Sequence, residues 1–166
     1  ADGHEVDDCD LYAENFQPCL TREERLNYHD VGANLATVAG YVDRLRAAEG
    51  LVLCFPVWNF GFPAILKGYF DRVFLPGVSF ELFEDGKVGG KLQHLRKVVA
   101  VSTYGGGRLR AMLAGYPPRR IVKRVLRSLV KLRTPVVYLG CYDMNRNTRR
   151  DCEGFLARVT KEMAAF

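Results

Sequence analysis

Three short apolar runs stand out along the chain: Leu51-Val-Leu-Cys-Phe55, closed by Pro56, then Lys97-Val-Val-Ala-Val-Ser-Thr103, then Thr134-Pro-Val-Val-Tyr-Leu-Gly140. None alternates polar with apolar residues, so each reads as a strand covered on both faces, as in a parallel sheet. Helical patterns lie around and between them. In Asn34–Ala48, Leu35, Val38, Ala39, Val42 and Leu45 recur at three- and four-residue spacing before Gly50. Further helices are predicted over Ala64–Phe74, Arg119–Leu132 and Arg150–Ala165. Thr21-Arg22-Glu23-Glu24 matches a helix capping box, with Thr21 as the cap and Glu24 reaching back. His4–Leu11 reads as a short edge-like strand whose apolar positions are Val6, Cys9 and Leu11. Strand and helix alternate, which predicts an α/β doubly wound parallel sheet with helices on both faces and right-handed crossovers.

A chain of 166 residues without repeats, low-complexity tracts or linkers fits one domain spanning 1–166. Charge changes the picture only once it is located. Seven basic residues (Arg119, Arg120, Lys123, Arg124, Arg127, Lys131, Arg133) and no acid lie between Pro117 and Arg133. They exceed the whole chain's net +5, so the rest carries a net −2. The basicity belongs to one segment, which argues against nucleic acid because no recognition motif accompanies it. That segment reads as a helix with Ile121, Val122, Val125, Leu126, Leu129 and Val130 on its core face and a solvated basic face. Attraction of the 2′-phosphate of NADPH, or of an anionic membrane surface, is the sharper reading.

The five cysteines (Cys9, Cys19, Cys54, Cys141, Cys152) contain no Cys-x-x-Cys pair. A disulfide framework is not expected, and a reducing cytoplasm is the natural compartment. Cys54, inside a core strand, is expected to be buried, whereas Cys19 and Cys141 read as loop positions open to solvent. His4, His29 and His94 show no spacing with carboxylates that suggests a metal. Lys67 and Asp71 are spaced for an i,i+4 ion pair. No apolar run reaches the length of a membrane span, and the acidic N-terminus lacks the pattern of a signal peptide.

In open α/β sheets ligands bind beyond the carboxyl ends of the strands. Two post-strand loops carry unusual composition. Phe55-Pro56-Val57-Trp58-Asn59-Phe60-Gly61-Phe62-Pro63 packs four aromatics into nine residues between prolines, which stiffen the backbone. Ser102-Thr103-Tyr104-Gly105-Gly106-Gly107 ends in three glycines, which let backbone approach a flat ligand and turn N–H groups toward it. The two loops describe a slot with one aromatic wall and one backbone-rich wall. Such a slot suits a planar heteroaromatic ring with several hydrogen-bonding edges, such as an isoalloxazine.

The run from Phe55 to Phe74, with Gly3-His-Glu-Val, Asp10-Leu-Tyr-Ala-Glu-Asn-Phe16, Pro18, Leu75-Pro-Gly-Val-Ser-Phe80 and Thr103-Tyr104-Gly105-Gly106, resembles the flavodoxin-like NAD(P)H:quinone oxidoreductase family (DT-diaphorase-like enzymes and bacterial relatives). The resemblance implies a flavin, FMN or FAD, with hydride passing from NAD(P)H to flavin and then to a quinone in a cytoplasmic homodimer. Pro56, Val57, Trp58, Asn59 and Phe60 would flank the ring, and Thr103, Tyr104, Gly105 and Gly106 would line its pyrimidine side. It also implies a first strand and phosphate loop that precede the point where this sequence starts. The Tyr and His that some members place after the glycine loop fall here on Ala111 and Pro117. Tyr116 and Tyr104 are the catalytic stand-ins. The apolar cluster Val78, Phe80, Leu82 and Phe83 is the expected dimer surface. The rival from the same fold is a regulatory subunit, like the ancillary proteins of potassium efflux systems.

Overall fold

A computed structural model describes residues 3–166. The chain runs through helices α1 (Arg22–Leu26) and α2 (Ala39–Ala47), strand β1 (Gly50–Val57), helix α3 (Ala64–Val73) and the hairpin β2 (Phe80–Leu82) and β3 (Val88–Gly90). Strand β4 (Lys97–Tyr104), helix α4 (Arg108–Leu113), a helical segment over 117–129, strand β5 (Val136–Cys141) and helix α7 (Arg149–Met163) follow. The segment over 117–129 comprises α5 (Pro117–Arg120), a π-helical stretch (Ile121–Leu126) and α6 (Arg127–Leu129). The three apolar runs are strands of one parallel sheet in the order β1-β4-β5. The expected α/β architecture is present.

Residues paired across a parallel sheet share a face. Leu53 and Phe55 of β1, Val98 and Ala100 of β4, and Val136 of β5 all enter the main core. There they meet Val42 and Leu45 of α2, Leu66, Tyr69 and Val73 of α3, and Val122 and Leu126 of the π-helical stretch. On the opposite face α7 lies along β5. Lys97 ties the end of that helix to the sheet: its buried ammonium donates to the carbonyls of Glu162 (2.9 Å) and Ala165 (3.1 Å) and pairs with the Glu162 carboxylate (2.7 Å). A cation there also complements the negative end of the helix dipole.

Several expectations need correction. His4–Leu11 is not a strand; residues 4–10 form coil without a ladder. Its acids are used singly instead. Arg44 of α2 binds Asp7 (2.6 Å) and Glu14 (2.8 Å), and the Asp10 carboxylate accepts from the N–H groups of Tyr12 and Ala13, both at 3.0 Å. The helix expected over 34–48 is broken into a 3₁₀ turn (Ala33–Leu35) and α2. The Asn34 side chain, bonded to the carbonyls of Tyr28 (3.2 Å) and Pro76 (3.1 Å), draws the backbone out of helical register.

The helix expected over 119–132 starts at Pro117, winds into π geometry and ends at Leu129. Its wider turn buries Val122, Leu126 and Leu129 but turns Val125 out to solvent. β1 is covered on one face only: Val52, Cys54 and Pro56 are exposed. Cys54 is therefore not a core residue. Cys141 is not in an open loop either; it ends β5 and is buried, which pushes its thiol pKa up. Val78 belongs to the core and leaves the apolar cluster expected on the surface.

Candidate functional site

The register of β1 against β4 decides where the two unusual loops meet. Pro56 pairs with Thr103 and Val57 with Tyr104, so the strands end at the same level and side by side. Beyond Val57 the chain makes a two-residue reversal. Trp58 N–H donates to the Gly61 carbonyl (3.2 Å), Gly61 N–H returns to the Trp58 carbonyl (2.8 Å), and Asn59 and Phe60 carry φ of 49° and 60°. Two successive positive φ values define a type I′ turn. Its shape lifts two rings off the protein: Trp58 is 56% exposed and Phe60 44%. Phe62 anchors the loop from below, stacking edge-on against Phe55 at 4.9 Å and Phe70 at 5.3 Å.

On the β4 side, the carbonyls of Tyr104 and Gly106 accept from Met144 N–H and Asp143 N–H, both at 3.0 Å. This stitches the glycine loop to the loop after β5. Among the described residues the N–H groups of Gly105, Gly106 and Gly107 have no protein acceptor. A cavity of about 280 Å³ opens beside them, lined by the three glycines, Leu109, Arg110, Asp143, Asn145 and Arg146. Gly107 would meet nothing within 4 Å of an added Cβ, and Gly105 meets only the Asn145 side chain at 3.5 Å. The glycines therefore serve access and backbone shape, not close packing.

These features fit a flavin. Exposed indole and phenyl rings offer an aromatic wall, and three unsatisfied N–H donors in succession suit the carbonyl and nitrogen edge of a pyrimidine. The residues brought together are Pro56, Val57, Trp58, Asn59, Phe60, Thr103, Tyr104, Gly105 and Gly106. Among the described residues no group of three His, Cys, Asp or Glu side chains is arranged to hold a metal ion.

The two tyrosines singled out for chemistry behave differently. The Tyr104 ring is 3% exposed and turned into the fold, where its hydroxyl meets the Tyr138 hydroxyl at 2.7 Å. Ser102 Oγ donates to the same Tyr138 hydroxyl at 2.8 Å. Burial, and then Tyr138, raise the Tyr104 pKa beyond the phenol range, so the group stays protonated. Tyr104 borders the slot by its backbone, not its hydroxyl. Tyr116 has a left-handed backbone (φ 50°), is half-buried, and donates its hydroxyl to the Arg108 carbonyl at 3.2 Å.

A third aromatic joins them. Tyr142 stacks on Tyr104 with centroids 4.5 Å apart and an angle of 21°, and meets Tyr116 edge-on at 6.2 Å. Burial, and then its tyrosine neighbours, push its pKa up to about 12. Tyr142 and Asn145 follow β5, the one core strand whose post-strand loop lacks any conspicuous composition.

A sequence profile of a family described as flavodoxin-like fold matches residues 1–132. Among curated proteins, the FMN-dependent NADH:quinone oxidoreductase of Coprothermobacter proteolyticus is 35% identical over 103 residues, covering 61% of this chain and 51% of that protein. The rat NAD(P)H dehydrogenase [quinone] 1 is 32% identical over 122 residues, covering 63% and 44%. The chain thus spans about half the length of the curated relatives it matches. Among solved structures, Smu.1420 from Streptococcus mutans superimposes with a TM-score of 0.77 at 26% identity, covering 94% of this chain and 80% of that one.

Proposed function

This chain belongs to the flavodoxin-like fold family, and from that premise we propose that it forms the ring-binding part of a flavin-dependent oxidoreductase that takes hydride from NAD(P)H and passes it to a quinone or related acceptor. The observation that carries the reading is the pairing of Val57 with Tyr104, which sets the exposed Trp58 and Phe60 rings beside the free N–H groups of Gly105–Gly107. A bound flavin, FMN or FAD, supplies the hydride chemistry. The protein's share is binding and orientation. Trp58 and Phe60 flank the ring and exclude water from one face. The glycine N–H donors fix the pyrimidine edge and favour the negative charge that accumulates there on reduction. Tyr104 turns its hydroxyl inward to Tyr138 and Ala111 has none, which leaves Tyr116, whose hydroxyl rests on the Arg108 carbonyl, as the candidate for that task.

The names of the two curated relatives support the assignment, since one is an NADH:quinone oxidoreductase and the other an NAD(P)H dehydrogenase [quinone]. We further infer a homodimer, with Leu82 and Phe83 of the β2–β3 hairpin as its exposed apolar contacts. A cytoplasmic setting accords with five free thiols. No described helix is long and apolar enough to cross a membrane. The test is addition of FMN, then FAD, to the purified protein. Uptake with a yellow colour that NAD(P)H bleaches, followed by turnover of a soluble quinone, is expected. Uptake of neither flavin overturns the reading. Flavin uptake without turnover assigns the chain to the non-catalytic, ancillary-subunit alternative, and a monomer in sedimentation at micromolar concentration removes the dimer.

A further inference from the structure

A second cavity lies at the β5 edge of the sheet and is separate from the slot between the two loops. It measures about 200 Å³ and is lined by Arg108, Tyr116, Arg119, Tyr138, Gly140, Tyr142 and Arg158. Three arginines therefore line one space from three elements: the start of α4, α5, and α7. No carboxylate lines it, and among the described residues none of the three arginines has an acidic partner within salt-bridge distance or donates a hydrogen bond to a protein acceptor. The contrast with Arg44, Arg72 and Arg149, each paired to a carboxylate, is plain. All three are nonetheless held in place, Arg158 by the Phe155 ring of its own helix, whose centre lies 5.7 Å from the guanidinium. The Arg108 guanidinium sits 5.2 Å from the centre of the Tyr142 ring and that of Arg119 5.7 Å from the Tyr116 ring. The rings are braced in turn, Tyr142 by Tyr104 and Tyr116 by the Arg108 carbonyl.

We propose that this cavity binds a phosphate monoester dianion. The three arginines are exposed, so water screens their mutual repulsion, but three unpaired cations around one cavity raise the local positive potential and favour an anion there. Planar guanidinium forks match phosphate oxygens two at a time, and a dianion with three terminal oxygens can engage all three arginines where a carboxylate can engage fewer. The stacked tyrosines hold the forks before the ligand arrives, so little side-chain entropy is lost on binding. Arg108 directly follows Gly107 of the candidate flavin loop, which places the anion site next to the redox site. The phosphate is the 2′-phosphate of NADPH or that of a free phosphorylated metabolite. Choosing the co-substrate rests on the redox reading above; recognition of phosphate does not.

Calorimetric titration of the purified chain at low salt, without flavin or quinone, tests this with 2′,5′-ADP, 5′-AMP and ribose 5-phosphate. Binding is expected, and Arg119→Met and Arg158→Met should each weaken it about tenfold, the size of one charge-assisted contact. Arg150→Met removes the same charge from an exposed position outside the cavity and should leave affinity unchanged. A clear preference for 2′,5′-ADP over the other two assigns the site to the co-substrate. Equal affinities assign it to phosphorylated metabolites, and the site stands in both cases. No binding of any probe, or equal weakening by Arg150→Met, overturns the proposal. Flavin uptake followed separately through Trp58 emission tells this failure from failure of the redox reading.

Discussion

Glu24, the reciprocal residue of the α1 capping box, also reaches Arg72 of α3, 48 positions away, where Arg72 is buried and Glu24 partly so. The carboxylate takes the Thr21 N–H (2.7 Å), the Thr37 hydroxyl and the Arg72 guanidinium, whose Nε lies at 3.1 Å. Burial alone would raise its pKa. Arg72, Thr37 and Thr21 more than offset that, and hold it at about 2. A depressed folded-state pKa contributes stability that is complete above the unfolded value, near 4.5, and is lost as pH falls toward 2.

Glu24→Gln should therefore cost about 3 kcal/mol near neutral pH, because Arg72 keeps its charge in a buried place. Denaturant unfolding at a series of pH values checks this. The gap between the parent and the variant should shrink between pH 4.5 and 2. A gap that stays constant across that window would show that the carboxylate's charge does not contribute.

Gly68 on α3 marks where the loop before α1 presses on the helix. A Cβ there would lie 2.3 Å from the Pro18 carbonyl oxygen and 2.4 Å from its Cα. Those are backbone atoms, so no rotamer change relieves the clash. Gly68→Ala should cost at least about 1–3 kcal/mol, the usual penalty of overpacking, despite alanine's better helix propensity. Thermal unfolding reads it directly; a stabilised variant would mean that the 16–18 segment is free to move off α3.

Tyr104→Phe removes a hydroxyl bonded only inward. Tyr138 keeps Ser102 as a partner, so the loss should be about 1 kcal/mol of stability. Quinone turnover should be almost unchanged, while Tyr116→Phe should slow it. The reverse order in steady-state kinetics would return Tyr104 to the chemistry.

The three core strands were legible because each is a continuous apolar run, and α3 because its periodicity is strong. The capping boxes differ: Thr21 and Glu24 are a plain pattern, whereas Thr148 with Asp151 uses a shorter acid in place of the usual Glu. The β2–β3 hairpin had a signal, Asp85-Gly86 between Leu82 and Val88, with Gly86 at φ 79°. Its strands are too short to show alternation. The burial of only one face of β1 could not be read, since Val52 and Cys54 are as apolar as their buried neighbours. Tyr142 was illegible for a related reason: its place beside Tyr104 follows from β4–β5 register, which no local pattern encodes.

The candidate site itself offers the last test, because Trp58 and Phe60 sit in one turn but on different backbones. Trp58 lies at the turn's first corner and is largely solvent-exposed, so Trp58→Ala should change stability by no more than about 0.5 kcal/mol. Phe60 holds a left-handed conformation (φ 60°) that costs an L-residue about 1–2 kcal/mol. Phe60→Gly relieves that strain, partly offset by the greater freedom glycine gives the unfolded chain. It should leave the protein as stable as the parent or more so. If the turn is shaped to present two rings to a flavin, both variants should bind FMN several-fold more weakly, as loss of an aromatic contact worth about 0.5–1.5 kcal/mol requires. Phe60→Gly can be followed through quenching of Trp58, the single tryptophan, and Trp58→Ala through the absorbance of bound flavin. Unchanged FMN affinity in both, with Phe60→Gly destabilised, would make this turn a structural cap on β1 and remove the aromatic wall from the site.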